Sequence, residues 1–135
     1  MATWALYNAF KTAVLGGTHD LDSDTLKIKL CTSAVLPAAT DANSSGYTEV
    51  SNSGTNYTTG GATVPAALSG TSTVKFDADD VSWTTATFTA RFAVLYNTSK
   101  SNAVIAYLDF GSDQSVTNGT FAITMDASNG IFTLA

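Results

Sequence analysis

The sequence has few of the residues that cross-link a chain or carry charge. Cys31 is its only cysteine, so no intramolecular disulfide can form and stability must come from a packed core or from oligomerisation. Charged residues make up 13% of the chain, about half the usual fraction. Six basic residues are scattered among eleven acidic ones, giving a net charge of -5. This balance argues against nucleic acid or an anionic membrane as the main partner, because both are bound through clustered Lys and Arg.

Long apolar runs are also missing. No stretch reaches the ~18 apolar residues that a transmembrane helix needs. The N-terminal stretch MATWALYNAFKTAVLGG lacks a basic start and has Lys11 within its apolar part, which is unlike a secretory signal. We therefore expect a soluble protein made in the cytoplasm, in which N-glycosylation sequons carry no function. Four such sequons begin at Asn43, Asn56, Asn97 and Asn118.

Hydroxyl residues are abundant. Serine and threonine together fill about a quarter of the chain and must make most of its surface polar. A hydroxyl loses less hydration on contact than a carboxylate or an ammonium does, so such an exterior suits a protein that neighbours partly cover. The length is that of one domain, and we expect residues 1–135 to form a single β-rich domain with one core.

The N-terminal segment predicts one short helix over about residues 4–15. Apolar side chains recur there at spacings of three and four, Thr3 stands where an N-cap would, and Gly16 with Gly17 ends the pattern. The apolar positions are Trp4, Tyr7, Phe10 and Val14. A helix this short needs a surface to pack against.

Alternating apolar and polar residues predict a half-exposed strand after this helix. One face of it carries Leu26, Ile28 and Leu30, and the other carries Lys27, Lys29 and Cys31. From 33 to 73 the chain is dominated by small polar residues, and we predict up to two short strands and a long polar loop or arm. A loop of this length is usually functional or mobile, so we expect contacts with neighbours here.

The second half of the chain carries the stronger strand pattern. The stretch VKFDADDVSWTTATFTARFAVLYN alternates over a long span and becomes apolar on both faces after Arg91, so one end of that strand is predicted to be buried on both sides. AVIAYLDF is another strand, and TFAITM with IFTLA is predicted to form a terminal hairpin through Asn129 and Gly130. Seven or eight strands with short turns favour an antiparallel β-sandwich or jelly-roll-like barrel with one N-terminal helix.

Two acidic clusters are candidates for metal binding. His19 stands near three aspartates, and a second aspartate run separates two predicted strands. We interpret both as solvated turns, because the glycine and closing glutamate of a calcium-binding loop are missing and like charges repel unless they are solvated or paired. The aspartates are Asp20, Asp22, Asp24, Asp77, Asp79 and Asp80.

The residues available for catalysis are few. Cys31 and His19 are the only thiol and imidazole, and a Cys in a strand is more often a small apolar residue than a nucleophile. No nucleophile-elbow, phosphate-loop or C-x-x-C motif occurs, and no carboxylate pair is singled out for glycoside hydrolysis. Trp83 is predicted to point into the core, whereas Tyr47 and Tyr57 lie in polar surroundings and are candidates for exposed rings that stack on sugars.

Three strings carry a family resemblance: LYNAFKTAVLGGTHDLDSDTLKIKLCTS, ADDVSWTTATFTARFAVLYN and YLDFGSDQSVTNGTFAITM. Through them the chain resembles a family of small structural proteins of tailed bacteriophages. The resemblance covers both ends of the chain and is weakest between about residues 35 and 72. It implies a protein of the virion, in particular a head decoration or cement protein on the outside of the major capsid lattice. It identifies no functional residue.

These observations predict a non-enzymatic capsid decoration protein, made in the bacterial host cytoplasm and located on the capsid exterior. Its expected partners are the major capsid protein and further copies of itself, as a dimer or trimer on a symmetry axis. We expect no cofactor and no metal, and contacts to neighbours through the N-terminal helix and residues 40–73. The alternative is a tail or head fibre or adsorption module that binds host surface glycans through Tyr47 or Tyr57.

Overall fold

The computed structural model describes residues 3–135, which form a mostly β fold with a short helix near its N-terminus. Eight strands lie in two antiparallel sheets, so the sandwich-like architecture predicted from the alternation is confirmed. In chain order the elements are β1 (Ala5–Leu6), α1 (Asn8–Leu15), β2 (Leu26–Cys31), β3 (Ala62–Val64), β4 (Ala66–Ser69), β5 (Val74–Ala78), β6 (Val81–Asn97), a 3₁₀ helix (Thr98–Lys100), β7 (Ala103–Ile123) and β8 (Phe132–Leu134).

The larger sheet has the order β1-β7-β6-β2-β3, and the smaller one has the order β4-β5-β8. The centre of the larger sheet is the ribbon of β6 and β7, which pair along almost their whole length. As the alternation predicts, Trp83 faces the core and the end of β6 after Arg91 is buried on both faces. One hydrophobic cluster includes buried side chains of both sheets and of α1, so a single core holds the layers together. In residues 3–135 no helix is long and apolar enough to cross a membrane.

The helix begins later than its periodicity predicts. Thr3 is not its N-cap and Trp4 lies outside it, because the next two residues pair with β7 as β1 and Tyr7, in an extended conformation, precedes the first turn. Pairing with a long neighbouring strand outweighs the high intrinsic helix propensity of Ala5 and Leu6. The helix ends before Gly16 as predicted, and Phe10 on its inner face is buried.

The terminal hairpin predicted at Asn129 and Gly130 is wrong. The two predicted strands AVIAYLDF and TFAITM are parts of the single strand β7, and β8 pairs with β5 of the other sheet. A turn does form at these residues, and the Asp126 carboxylate stabilises it by accepting the backbone N–H groups of Ser128 and Asn129. The turn therefore moves the chain between sheets, and the N–H of Ile131 bonds to the carbonyl of Phe76 to start the pairing with β5.

The central polar segment has the two short strands that the sequence predicts, β3 and β4. The connection before them, residues 32–61, has no strand of its own and is called the arm here. The arm runs beside β2: the N–H of Thr32 bonds to the carbonyl of Thr48, and the N–H of Val50 bonds to that of Leu30. The arm is therefore attached to the sheet through its backbone.

Candidate functional site

Tyr57 attaches the arm to the core. Its side chain is 2% exposed, and its ring packs against Trp83 and Phe88 with centroids 6.0 and 5.9 Å away. The hydroxyl accepts the N–H of Leu30 at 2.9 Å and donates to Glu49 Oε1 at 2.8 Å. Burial, with the Glu49 carboxylate adding to it, raises the pKa of Tyr57 well above its ordinary value, so the hydroxyl stays neutral and keeps both bonds.

Tyr47 makes a second attachment of the arm. Its ring meets Phe92 edge-on at 5.1 Å, and its hydroxyl donates to Asp41 Oδ2 at 2.6 Å. That hydroxyl therefore accepts from the hydroxyl of Tyr7 at 3.1 Å. The ring of Tyr57 is enclosed by the core, whereas Tyr47 is half-buried and packs against the edge of the core. The prediction that an exposed ring stacks on sugars is wrong for Tyr57, and Tyr47 is only partly exposed, since polar neighbours in sequence do not reveal a side chain that folds back.

The outward surface of the arm is apolar or hydroxylated. Val35 and Leu36 are 45% and 49% exposed, although both are aliphatic residues that are usually buried. The arm contains two charged residues, Asp41 and Glu49, and both carboxylates accept internal hydrogen bonds. A partner that covers the arm therefore removes apolar and hydroxyl groups from water but leaves the two charges with their present partners.

A buried polar network joins the helix–strand loop to the end of β6. Asn97 is fully buried, and its amide nitrogen donates to Asp24 Oδ2 at 2.7 Å and to His19 Nδ1 at 3.0 Å. Its amide oxygen accepts the N–H of Ser99 at 3.0 Å, which fixes the orientation of the amide. His19 Nδ1 must therefore be the acceptor, and the neutral imidazole carries its proton on Nε2. This Nε2 is buried and has no hydrogen-bond partner within residues 3–135.

The environment of His19 disfavours its charged form. The side chain is 8% exposed and packs against the ring of Phe10 at 5.1 Å. Burial lowers the pKa of His19 below its ordinary value of 6.5; the Asp24 carboxylate opposes this effect, and the Lys100 ammonium adds to it. Lys100 lies 3.9 Å from Asp24, so the three ionisable groups act on one another.

We expect the protein to lose stability between pH 7.5 and 5.5 through His19. The imidazole of the unfolded chain takes up a proton near pH 6.5, whereas that of the folded chain does so only at lower pH. The free energy of unfolding therefore decreases by up to ~1.4 kcal/mol for each unit by which the pH is lowered. Urea titrations at both pH values measure this, and His19→Phe should flatten the slope. The pKa values of Asp24, Asp109 and Asp126 are lowered from their ordinary value of 3.8, so protonation of these carboxylates reduces the stability only at more acidic pH. An unchanged slope in His19→Phe would contradict the assignment.

The first acidic cluster forms a turn, as predicted, but the second does so only in part, because Asp77 lies within β5. Asp20 accepts the N–H of Asp22 at 3.2 Å, and Asp24 accepts the N–H of Asp20 at 2.9 Å, so these carboxylates bond to their own loop. In the second cluster, Asp80 accepts the N–H of Met125 at 2.7 Å and Asp77 lies 3.3 Å from the ammonium of Lys75. Asp79 stands in the turn between β5 and β6, as predicted. No three His, Cys, Asp or Glu side chains within residues 3–135 are arranged to hold a metal ion.

Cys31 and His19 do not meet. Cys31 pairs with Phe92, and Leu26 at the other end of β2 pairs with Asn97, the residue that holds His19. Five residues of strand separate these ends by about 17 Å. The thiol is fully buried rather than on a half-exposed face, and burial raises the pKa of Cys31 to about 12. It is therefore a core side chain and not an activated nucleophile.

A polar cleft of about 420 Å³ lies between the arm and the β6–β7 turn. Its lining includes Lys29, whose ammonium lies 5.4 Å from the ring centre of Tyr96, and one carboxylate, Glu49. Glu49 Oε1 is already bonded to Tyr57 and to the N–H of Gly60 at 2.7 Å. The cleft thus lacks the second carboxylate that glycoside hydrolysis requires.

The chain matches no protein-family model, no curated protein and no solved structure. Fold and site therefore rest on the geometry described above.

Sequence reasoning missed two residues that organise this part of the molecule. The sequon pattern does not indicate the role of Asn97, although a polar residue directly after the buried run FAVLY is a signal of an internal hydrogen-bond partner. Glu49 joins Tyr57 to Gly60 across the arm, and nothing in its local sequence predicts this. Of the other sequon residues, Asn56 donates to the carbonyl of Thr84 at 2.6 Å, and Asn43 accepts the N–H of Ser45 at 3.0 Å.

Proposed function

We propose that this chain is a non-enzymatic virion structural protein that decorates the outer surface of a capsid lattice and stabilises the head. The resemblance of its two ends to tailed-phage structural proteins supports this function. The absence of a reactive thiol and of paired carboxylates in the polar cleft agrees with a binding role. The proposed partners are the major capsid protein and further copies of the chain, on the capsid exterior.

The surface of the arm is the observation that carries this proposal. Val35 and Leu36 are exposed to solvent on the arm, which Tyr47 and Tyr57 attach to the core. Because the arm is attached before any partner arrives, little backbone entropy is lost on docking. Because about half of each side chain is already covered, Val35 and Leu36 each contribute roughly 0.7–1.5 kcal/mol if a capsid subunit covers the rest. Many modest contacts of this kind, repeated over a lattice, favour the closed shell by mass action.

The first test is the location of the protein in purified virus particles. Quantitative mass spectrometry should find it in amounts comparable to the major capsid protein, because a decoration protein repeats with the lattice. Cryo-electron microscopy should place it on the outside of the head. A handful of copies confined to the tail would refute the decoration role and would favour an adsorption module.

The second test concerns the arm. The double variant Val35→Asp, Leu36→Asp should bind undecorated heads at least ~100-fold more weakly, because two apolar contacts are lost and two carboxylates must be desolvated. Leu134→Asp is the matched control, since Leu134 is an exposed leucine of β8, outside the arm. Sedimentation of heads with labelled protein measures the binding. Equal losses in both variants would show that the arm is not the contact.

A further inference from the structure

The longest free strand edge of the molecule belongs to β7. One side of β7 pairs with β6, whereas the other side pairs with β1 only at Ala106 and Tyr107. Within residues 3–135, no strand covers this outer side between Gln114 and Ala122. Unpaired N–H and C=O groups along such a stretch are a template for another strand. The edge strands β3, β4 and β8 are each three or four residues long and offer far less.

A groove of mixed polarity, which contains aromatic side chains, accompanies this free edge. Val116 lies opposite Phe88, and Phe121 lies opposite Trp83, so both face the core side of the sheet. They remain half-buried, together with Phe110, whose ring lies 5.7 Å from that of Phe121. The groove has a volume of about 410 Å³. A strand added at this edge would satisfy the backbone groups and cover the aromatic rings in one step.

The charge pattern permits a second copy of the chain as the added strand. The protein carries a net charge of -5, so most of its surface repels another copy. The segment QSVTNGTFA, residues 114–122, contains no charged residue and no proline, and Asn118, with a φ of +46°, divides it into two short extended stretches. Antiparallel pairing of this segment with itself therefore sets no like charges opposite each other in any register.

We propose that two copies associate through the β7 edge at residues 114–122, related by a two-fold axis, so that their five-stranded sheets join into one continuous sheet. An isologous contact of this kind closes after two copies and leaves the arms free. The proposal concerns the isolated chain and does not depend on the capsid function.

The test is the oligomeric state of the full chain, measured by sedimentation equilibrium over a wide concentration range. The unmodified chain should form dimers. Thr120→Asp, at an exposed edge position, should raise the dimer dissociation constant at least ~10-fold, because the same charge is added to both copies. Gln114→Asp adds a negative charge at the other end of the segment, beside Asp113, and should weaken the dimer as well.

The matched control is Thr63→Asp. Thr63 is an exposed threonine of β3, the strand at the opposite edge of the same sheet, and its replacement should leave the dimer unchanged. Circular dichroism shows whether each variant is folded. A chain that stays monomeric at all concentrations would overturn the proposal, as would dimers that withstand both β7 substitutions or that Thr63→Asp weakens equally.

Discussion

Gly61→Ala should lower the free energy of unfolding by about 4 kcal/mol, the sum of a left-handed backbone penalty and a steric overlap. Gly61 has a φ of +82° and ends the arm where it turns into β3. A methyl group on its Cα would overlap the carbonyl oxygen of Ile28 in β2. The neighbouring backbone belongs to a paired strand and cannot move away, so the end of the arm must detach.

Gly111→Ala separates the two contributions. Gly111 has the same φ of +82°, but an added methyl group there would have no atom within 4 Å. It should therefore cost about 1 kcal/mol, the backbone penalty alone. Urea unfolding followed by tryptophan fluorescence measures both variants, since Trp83 lies in the core. Equal losses at the two positions would mean that the close approach of Gly61 to β2 is not maintained in solution.

The Gly61 variant also tests how the arm is supported. Beside it, Gly60 donates its N–H to Glu49 at 2.7 Å and accepts the hydroxyl of Tyr96. Detaching this point would remove one anchor of the arm but leave the bonds of Tyr47 in place. If the arm contacts a capsid lattice, Gly61→Ala should therefore weaken head binding at temperatures where the rest of the protein is still folded.

Much of the fold follows from alternation along the strands. The pattern in β6 predicts the inward position of Trp83 and the double burial after Arg91, because a period of two is set by the geometry of a strand. The same reasoning fails at Asn129 and Gly130, where the turn is local but the partner strand is not. The helix prediction is wrong at Ala5 and Leu6 for a related reason, since their pairing with the distant strand β7 outweighs the local helical spacing.

The candidate site is less predictable than the fold. Tyr57 forms hydrogen bonds with Glu49 and Leu30, which lie 8 and 27 residues away from it in the sequence. Asn97 and His19 are 78 residues apart. Neither pair leaves a periodic signal, because each is a single side-chain contact created by the topology. The exposure of Val35 and Leu36 likewise depends on where the arm folds back, so the sequence predicts an interacting segment but not its contact residues.

Asn97→Ala should destabilise the protein by about 3 kcal/mol at pH 7.5, because it removes a buried amide and leaves the Nδ1 of His19 without a donor. The contribution comes from the network and not from the 3₁₀ helix that follows, and Thr98→Ala distinguishes the two. The Thr98 hydroxyl donates one bond, to the carbonyl of Thr25 at 2.8 Å, and its loss should cost about 1 kcal/mol.

A double-mutant cycle shows whether Asn97 acts through His19. In the His19→Phe background no imidazole nitrogen is left to satisfy, so Asn97→Ala should cost at least ~1 kcal/mol less than in the unmodified chain. The coupling should be smaller at an acidic pH below the lowered pKa of His19 than at pH 7.5, because a protonated Nδ1 can no longer accept a hydrogen bond. Additive losses at both pH values would mean that Asn97 stabilises the loop through Asp24 and Ser99 alone. A coupling that depends on pH instead identifies His19 as the group through which protonation loosens the attachment of this loop to the sheet.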